Sequence, residues 1–253
     1  MRKIIPALIA LCLLFSCAAA DPLVQAPDLA GTVYWPEDTD ADTAVYVYTY
    51  AYPQVEGDGE TEQAINETYA YVVDDTLAFG VPIRGEGILD TSVQSSTRVH
   101  YRLTANDGRY FSVLILTDSL MEGERHVSVQ AQVFGLDTAK AGHNLTMPFL
   151  LGILADDEDD DWLRQRQTAR ADDVIRELVW ADIGWRASQG ETFPDWWSED
   201  MLQENFFPEE DFYYDGETGR VVFFFQPYMN GEGMEPDEFY TFAFDFDDIL
   251  DEM

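Results

Sequence analysis

Five apolar residues in a row, Val221-Val222-Phe223-Phe224-Phe225, constrain this chain more than any other stretch. A strand with apolar side chains at successive positions has no face to give to water, so it must lie centrally and be covered on both sides. Phe242, Phe244 and Phe246 recur at every second position within residues 239–246, the pattern of a half-buried partner strand. Asp215-Gly216 and Thr218-Gly219 supply turn chemistry before the first run, and residues 226–237, rich in Pro, Gly and Asn, separate the two. The segments upstream must therefore provide the cover.

They do so with mixed periodicities. Tyr46, Tyr48, Tyr50 and Tyr52 alternate along residues 45–52, a strand whose tyrosines fall on one face. Such a row either stacks a ligand or packs sideways over a sheet, and packing is the commoner use. Residues 60–73 place Ala64, Ile65, Thr68, Tyr69 and Val72 at helical spacing. Residues 98–103 and 110–116 flank the turn Asn106-Asp107-Gly108, and residues 126–134 alternate again, which predicts an antiparallel meander. A short helix is expected to begin near Asn144. A long amphipathic helix is expected over 162–184, with Leu163, Ile175, Leu178 and Val179 on its buried face and the acidic run 156–161 before it. The expected fold is α+β, an antiparallel sheet covered by one long helix and shorter helices. It would occupy residues 44–253, with subregions 44–103 and 106–253 sharing the sheet. Residues 21–43, without periodicity and carrying Pro22, Pro27 and Pro36, are expected to be a flexible acidic tether.

Residues 1–20 have the layout of an export signal: Arg2 and Lys3, twelve apolar or small residues at 4–15, then small residues to Ala20. Leu14-Phe15-Ser16-Cys17 resembles a lipobox, which would make Cys17 the acylated first residue of the mature chain. The alternative is cleavage after Ala18-Ala19-Ala20 and simple secretion. Both cysteines, Cys12 and Cys17, fall in this region, so a disulfide-free body stabilised by its core is expected outside the membrane. With Arg2 and Lys3 removed, 12 basic residues face 49 acidic ones, a net charge of −37. A surface of that sign excludes nucleic acid as a partner and attracts cations and basic proteins.

Chemical motifs are sparse. His100, His126 and His143 have no metal-ligand spacing, and no G-x-S-x-G or S-x-x-K motif is present. No cofactor is expected, with calcium as the one alternative. Its candidates are Asp38-Thr39-Asp40-Ala41-Asp42, which lacks the later ligands of a calcium loop, and the run 156–161. Asn66 and Asn144 match the glycosylation sequon.

Tyr52-Pro53-Gln54-Val55-Glu56-Gly57 with Ile65-Asn66 resembles the opening of a known extracytoplasmic domain. Phe134-Gly135-Leu136-Asp137-Thr138-Ala139-Lys140, Leu145-Thr146-Met147-Pro148-Phe149-Leu150, Phe212-Tyr213-Tyr214-Asp215 and Val222-Phe223-Phe224-Phe225-Gln226-Pro227-Tyr228 extend the likeness. The family is that of RsiV-type lysozyme-sensing anti-sigma factors, shared with the non-catalytic domain of PdaC-type peptidoglycan deacetylases. Two places depart from it: Gly123-Glu124-Arg125-His126 matches only in part, and Met229 to Glu235 replace small apolar residues. The resemblance implies a stand-alone, lipid-anchored binding domain at the bacterial cell envelope, not an enzyme, with a lysozyme-like cationic protein or a cell-wall component as its partner. The alternatives are a small envelope hydrolase acting on peptidoglycan, which would require a histidine meeting carboxylates in a cleft, and a structural lipoprotein without a soluble ligand.

Overall fold

The structure, a computed structural model, describes residues 21–136, 141–153, 161–230 and 238–253. The first sheet runs in chain order: β1 (Gln25–Trp35), β2 (Tyr46–Val55), β3 (Ser95–Asn106), β4 (Tyr110–Met121) and β5 (Glu124–Gly135). All neighbours are antiparallel except β2 and β3, which pair in parallel from Tyr46↔Ser95 to Tyr50↔Val99. A parallel pair needs a crossover. Here it is α1 (Glu60–Asp75), a π-helical turn (Thr76–Gly80) and α2 (Val81–Gly87). The meander expected from the Asn106-Asp107-Gly108 turn is β3–β4–β5. The expected divide between 103 and 106 falls within the end of β3, and one continuous sheet spans it.

The second sheet is small and antiparallel, in the order β6 (Phe212–Asp215), β7 (Arg220–Phe224), β8 (Thr241–Phe244). The all-apolar run is thus the central strand, as its pattern predicts. Helices α3 (Met147–Leu150), α4 (Asp161–Ser188), α5 (Glu199–Asn205) and α6 (Phe246–Glu252) complete the fold. Phe246, expected to end a strand, instead opens α6.

Two strands buried on both faces fix the layers. On β4, Phe111, Val113 and Ile115 join Tyr46, Tyr48, Tyr52, Ile65 and Tyr69 under α1. The alternate residues Leu114 and Leu116 meet Val129 and Phe224 of β7. The other face of β7 and the residue after it, Val221, Phe223 and Phe225, join Ala171, Ile175, Val179 and Ile183 of α4. Those four helix residues recur every fourth position and form one stripe. The stack is α1, large sheet, small sheet, α4. The aligned tyrosines pack: Tyr48–Tyr50 ring centroids lie 5.5 Å apart and Tyr52 stacks on Tyr69 at 5.6 Å. Among the described residues no helix is long and apolar enough to cross a membrane.

The expected tether at residues 21–43 is corrected over half its length, because Gln25–Trp35 is the outer strand β1. Its signal was faint because an edge strand is only half covered, and most of its residues are exposed or half-buried. Pro27 sits in the register shift between Ala26 and Leu29, where no ladder hydrogen bond is lost. Gly31 lies beneath Tyr50, whose hydroxyl would stand 2.7 Å from any Cβ there. Gly85 of α2 likewise leaves room for the Trp35 ring. Removing residues 21–35 is therefore expected to lower Tm by on the order of 10 °C, as loss of several kcal/mol does in a domain of this size. A circular-dichroism melt unchanged by the truncation would restore the tether.

Candidate binding groove

The large sheet ends at β5, and an unprotected outer edge is a template for pairing with other chains. Side-chain amides cover this one at two positions. The Gln226 amide accepts from the Val129 N–H at 3.1 Å and donates to the Val129 carbonyl at 2.8 Å. The Asn144 Oδ1 accepts from the Val133 N–H at 2.9 Å, while the Leu145 N–H donates to the Val133 carbonyl at 2.7 Å. A groove of about 670 Å³ lies along residues 128–132, bounded by residues 144–146, residues 207–212, Gln226 and Tyr228.

The far wall is acidic and carries Glu209, Glu210 and Asp211. Asp211 is 3% exposed. Burial pushes its carboxyl up to about 6, against the pull of hydrogen bonds from the Gln226 amide at 2.7 Å and the Phe207 N–H at 3.2 Å. Behind the wall, Asp172 of α4 is 7% exposed and faces Glu209. Asp172 Oδ1 and Glu209 Oε2 are buried and have no other partner among the described residues. A proton shared between the two carboxyls satisfies both atoms. Burial first, then that bond and the Glu209 charge, pushes Asp172 up to about 8, opposed by Arg176. Arg176 donates through Nε and Nη2 to the Phe206 carbonyl at 3.3 and 3.2 Å, and so ties α4 to the same loop. Phe207 and Tyr228 flank the groove, 40% and 62% exposed. The groove offers acceptors and an apolar rim, a setting for a cationic or donor-rich guest.

The residues singled out in the sequence do not meet here. His100 lies on β3, His126 on β5 and His143 in the turn after β5, all exposed. β4 separates the first two, and His143 lines a different hollow, against α1. The Asp40 carboxylate closes its own turn, accepting from the Asp42 N–H, the Thr43 N–H and the Thr43 hydroxyl at 2.7 Å. Those bonds, the Thr43 hydroxyl foremost, hold it below the usual carboxylate range. Asn66 bonds both the N–H and the carbonyl of Val55, so each sequon asparagine braces backbone. Cys17 and residues 156–160 lie outside the described residues. Among the described residues no three His, Cys, Asp or Glu side chains gather as metal ligands. Asp172 was not singled out in the sequence and Gln226 only as part of a motif, although both had a signal: an acid beside the helix stripe, and an amide ending an apolar run.

No protein-family model matches the chain, and neither does any curated protein sequence. Solved structures do. A DUF3298-family protein from Bacteroides fragilis superposes with a TM-score of 0.51 at 13% identity, over 90% of this chain and 92% of its own. A DUF3298-family protein from Pseudomonas aeruginosa gives 0.50 at 9% identity, over 92% and 94%. The fold is DUF3298-like.

The carboxyl pair makes stability depend on pH with a definite sign. Asp172 binds its proton more tightly folded than unfolded, so between about pH 4 and 8 its contribution to stability falls, and above that it is lost. Asp211 acts in the same direction up to about 6. Asp172→Asn is expected to gain on the wild type by on the order of 3 kcal/mol between pH 4 and pH 8.5 in urea unfolding. Parallel stability curves for the two proteins would remove the shared proton.

Proposed function

We propose that this chain is a non-enzymatic binding module of the bacterial cell envelope, and that it recognises a cationic protein of the lysozyme class. The observation that carries the reading is the groove on the β5 edge, where a wall of carboxylates faces main-chain and amide acceptors with no histidine among them. A net charge of −35 over the whole chain adds long-range attraction for a basic protein, which speeds encounter more than it adds affinity. The motif likeness to the ligand-facing domain of RsiV-type proteins and the DUF3298-like fold support the same reading. A cell-wall component bearing amines would use the same chemistry.

Retention of lysozyme on the immobilised protein tests this. Binding is expected at 50 mM salt, to weaken several-fold by 200 mM as screening grows, and to persist there. No retention at either salt would overturn the reading.

The address belongs to the same proposal: export through residues 1–20 and a lipid on Cys17, with Asp21 to Val24 bridging to β1. Cys17→Ser is expected to abolish incorporation of labelled fatty acid and to release the protein into the medium. An unlabelled wild type, released with its N-terminus at Asp21, would show secretion instead.

A further inference from the structure

Val129 and Val133 turn their N–H and C=O groups away from β4, since Gln226, Asn144 and the Leu145 N–H bond them there from outside the sheet. The β4–β5 register runs without a shift from Tyr110↔Gly135 to Met121↔Glu124. In an antiparallel pair, direction alternates residue by residue, so Ala131 has the same sense as 129 and 133. Its N–H and C=O therefore face the groove, and no residue described here bonds them across it. Next to them, Gln132 Oε1 is buried without a hydrogen-bond partner among the described residues. The Gln226 amide on one side and Asn144 with Leu145 on the other occupy the places a neighbouring strand would take. Between these two plugs one position of the edge is left open, and Glu209 and Glu210 stand across from it.

We propose that an extended cationic segment of the partner docks in this gap. One of its residues exchanges both main-chain hydrogen bonds with Ala131, and a flanking lysine or arginine reaches Glu209 and Glu210. The plugs on Val129 and Val133 leave room for one paired guest residue between them, so the residues on either side of it turn outward from the edge. Main-chain pairing supplies the contact and the acidic wall selects the sign of the side chain. This inference rests on the reading of the chain as a receptor for a cationic protein and adds where and how it is held.

The probe is the blocked peptide acetyl-Lys-Val-Lys-Val-Lys-amide, compared by calorimetry with its backbone N-methylated form and with acetyl-Glu-Val-Glu-Val-Glu-amide. The plain cationic peptide is expected to bind, the N-methylated and acidic peptides at least tenfold more weakly. Ala131→Pro, which removes the outward N–H at an edge where proline is tolerated, and Glu210→Lys should each weaken the cationic peptide at least tenfold. N-methylation alters only the probe, so it decides the matter even where Ala131→Pro disturbs folding. Equal binding of plain and N-methylated peptides would overturn the proposal in favour of charge alone. Lysozyme retained with no cationic peptide bound would overturn this site and leave the receptor reading standing. Failure to retain either would overturn both.

Discussion

The burial of β4 on both faces is the constraint on which the rest of this structure depends. Its odd-numbered residues Phe111, Val113 and Ile115 lie under α1, and Leu114 and Leu116 lie under the small sheet. Neither cover is dispensable, since each apolar side chain of this size loses roughly 1.5–3 kcal/mol when returned to water. β7 repeats the arrangement one layer out, with Phe224 toward β4 and Phe223 toward α4. Two doubly covered strands set at successive depths require four layers.

Layers covered face to face still leave edges, and this protein closes its edges with side-chain amides. Asn66 takes the N–H and C=O of Val55, Asn106 those of Leu23 and Gln226 those of Val129. An Asn or Gln side chain presents one donor and one acceptor at nearly the spacing of a peptide group, so it stands in for a strand neighbour without extending the sheet. The device satisfies a backbone pair and offers nothing further for another chain to join. Gln226 does more, since its Nε2 also donates to Asp211 and thereby joins the edge to the acidic wall.

Legibility in the sequence followed how each element is covered. Strands with two buried faces, or with one clean apolar face, were readable: β7 from its unbroken run, β2 from its tyrosines, the meander from its alternation and its Asn-Asp-Gly turn. β1 was not, because an edge strand held mainly by main-chain bonds leaves little trace in side-chain pattern. The parallel pairing of β2 with β3 was equally hidden, because direction is a property of the crossover and not of either strand. The groove was the least legible part. Asp172 and Glu209 are 37 positions apart, Val129 and Gln226 are 97 apart, and only the folded layers bring them together. The acids that mattered were also masked by number: among 49 acidic residues, pairing in sequence carries no information.

That abundance also bears on selectivity. A charge of −35 attracts any basic protein from a distance, and at ordinary ionic strength the attraction fades beyond about 8 Å. Charge alone therefore gathers candidates without choosing among them. Choice needs groups fixed in place, and one carboxyl of the groove is fixed from two sides. Asp211 is held by Gln226 and by the Phe207 N–H. Arg176 anchors the loop that carries it through the Phe206 carbonyl. Ordering this side chain was accomplished when the chain folded, so a guest that fits does not bear that entropy again. The bonds that oppose protonation of Asp211 also hold this wall of the groove in one shape.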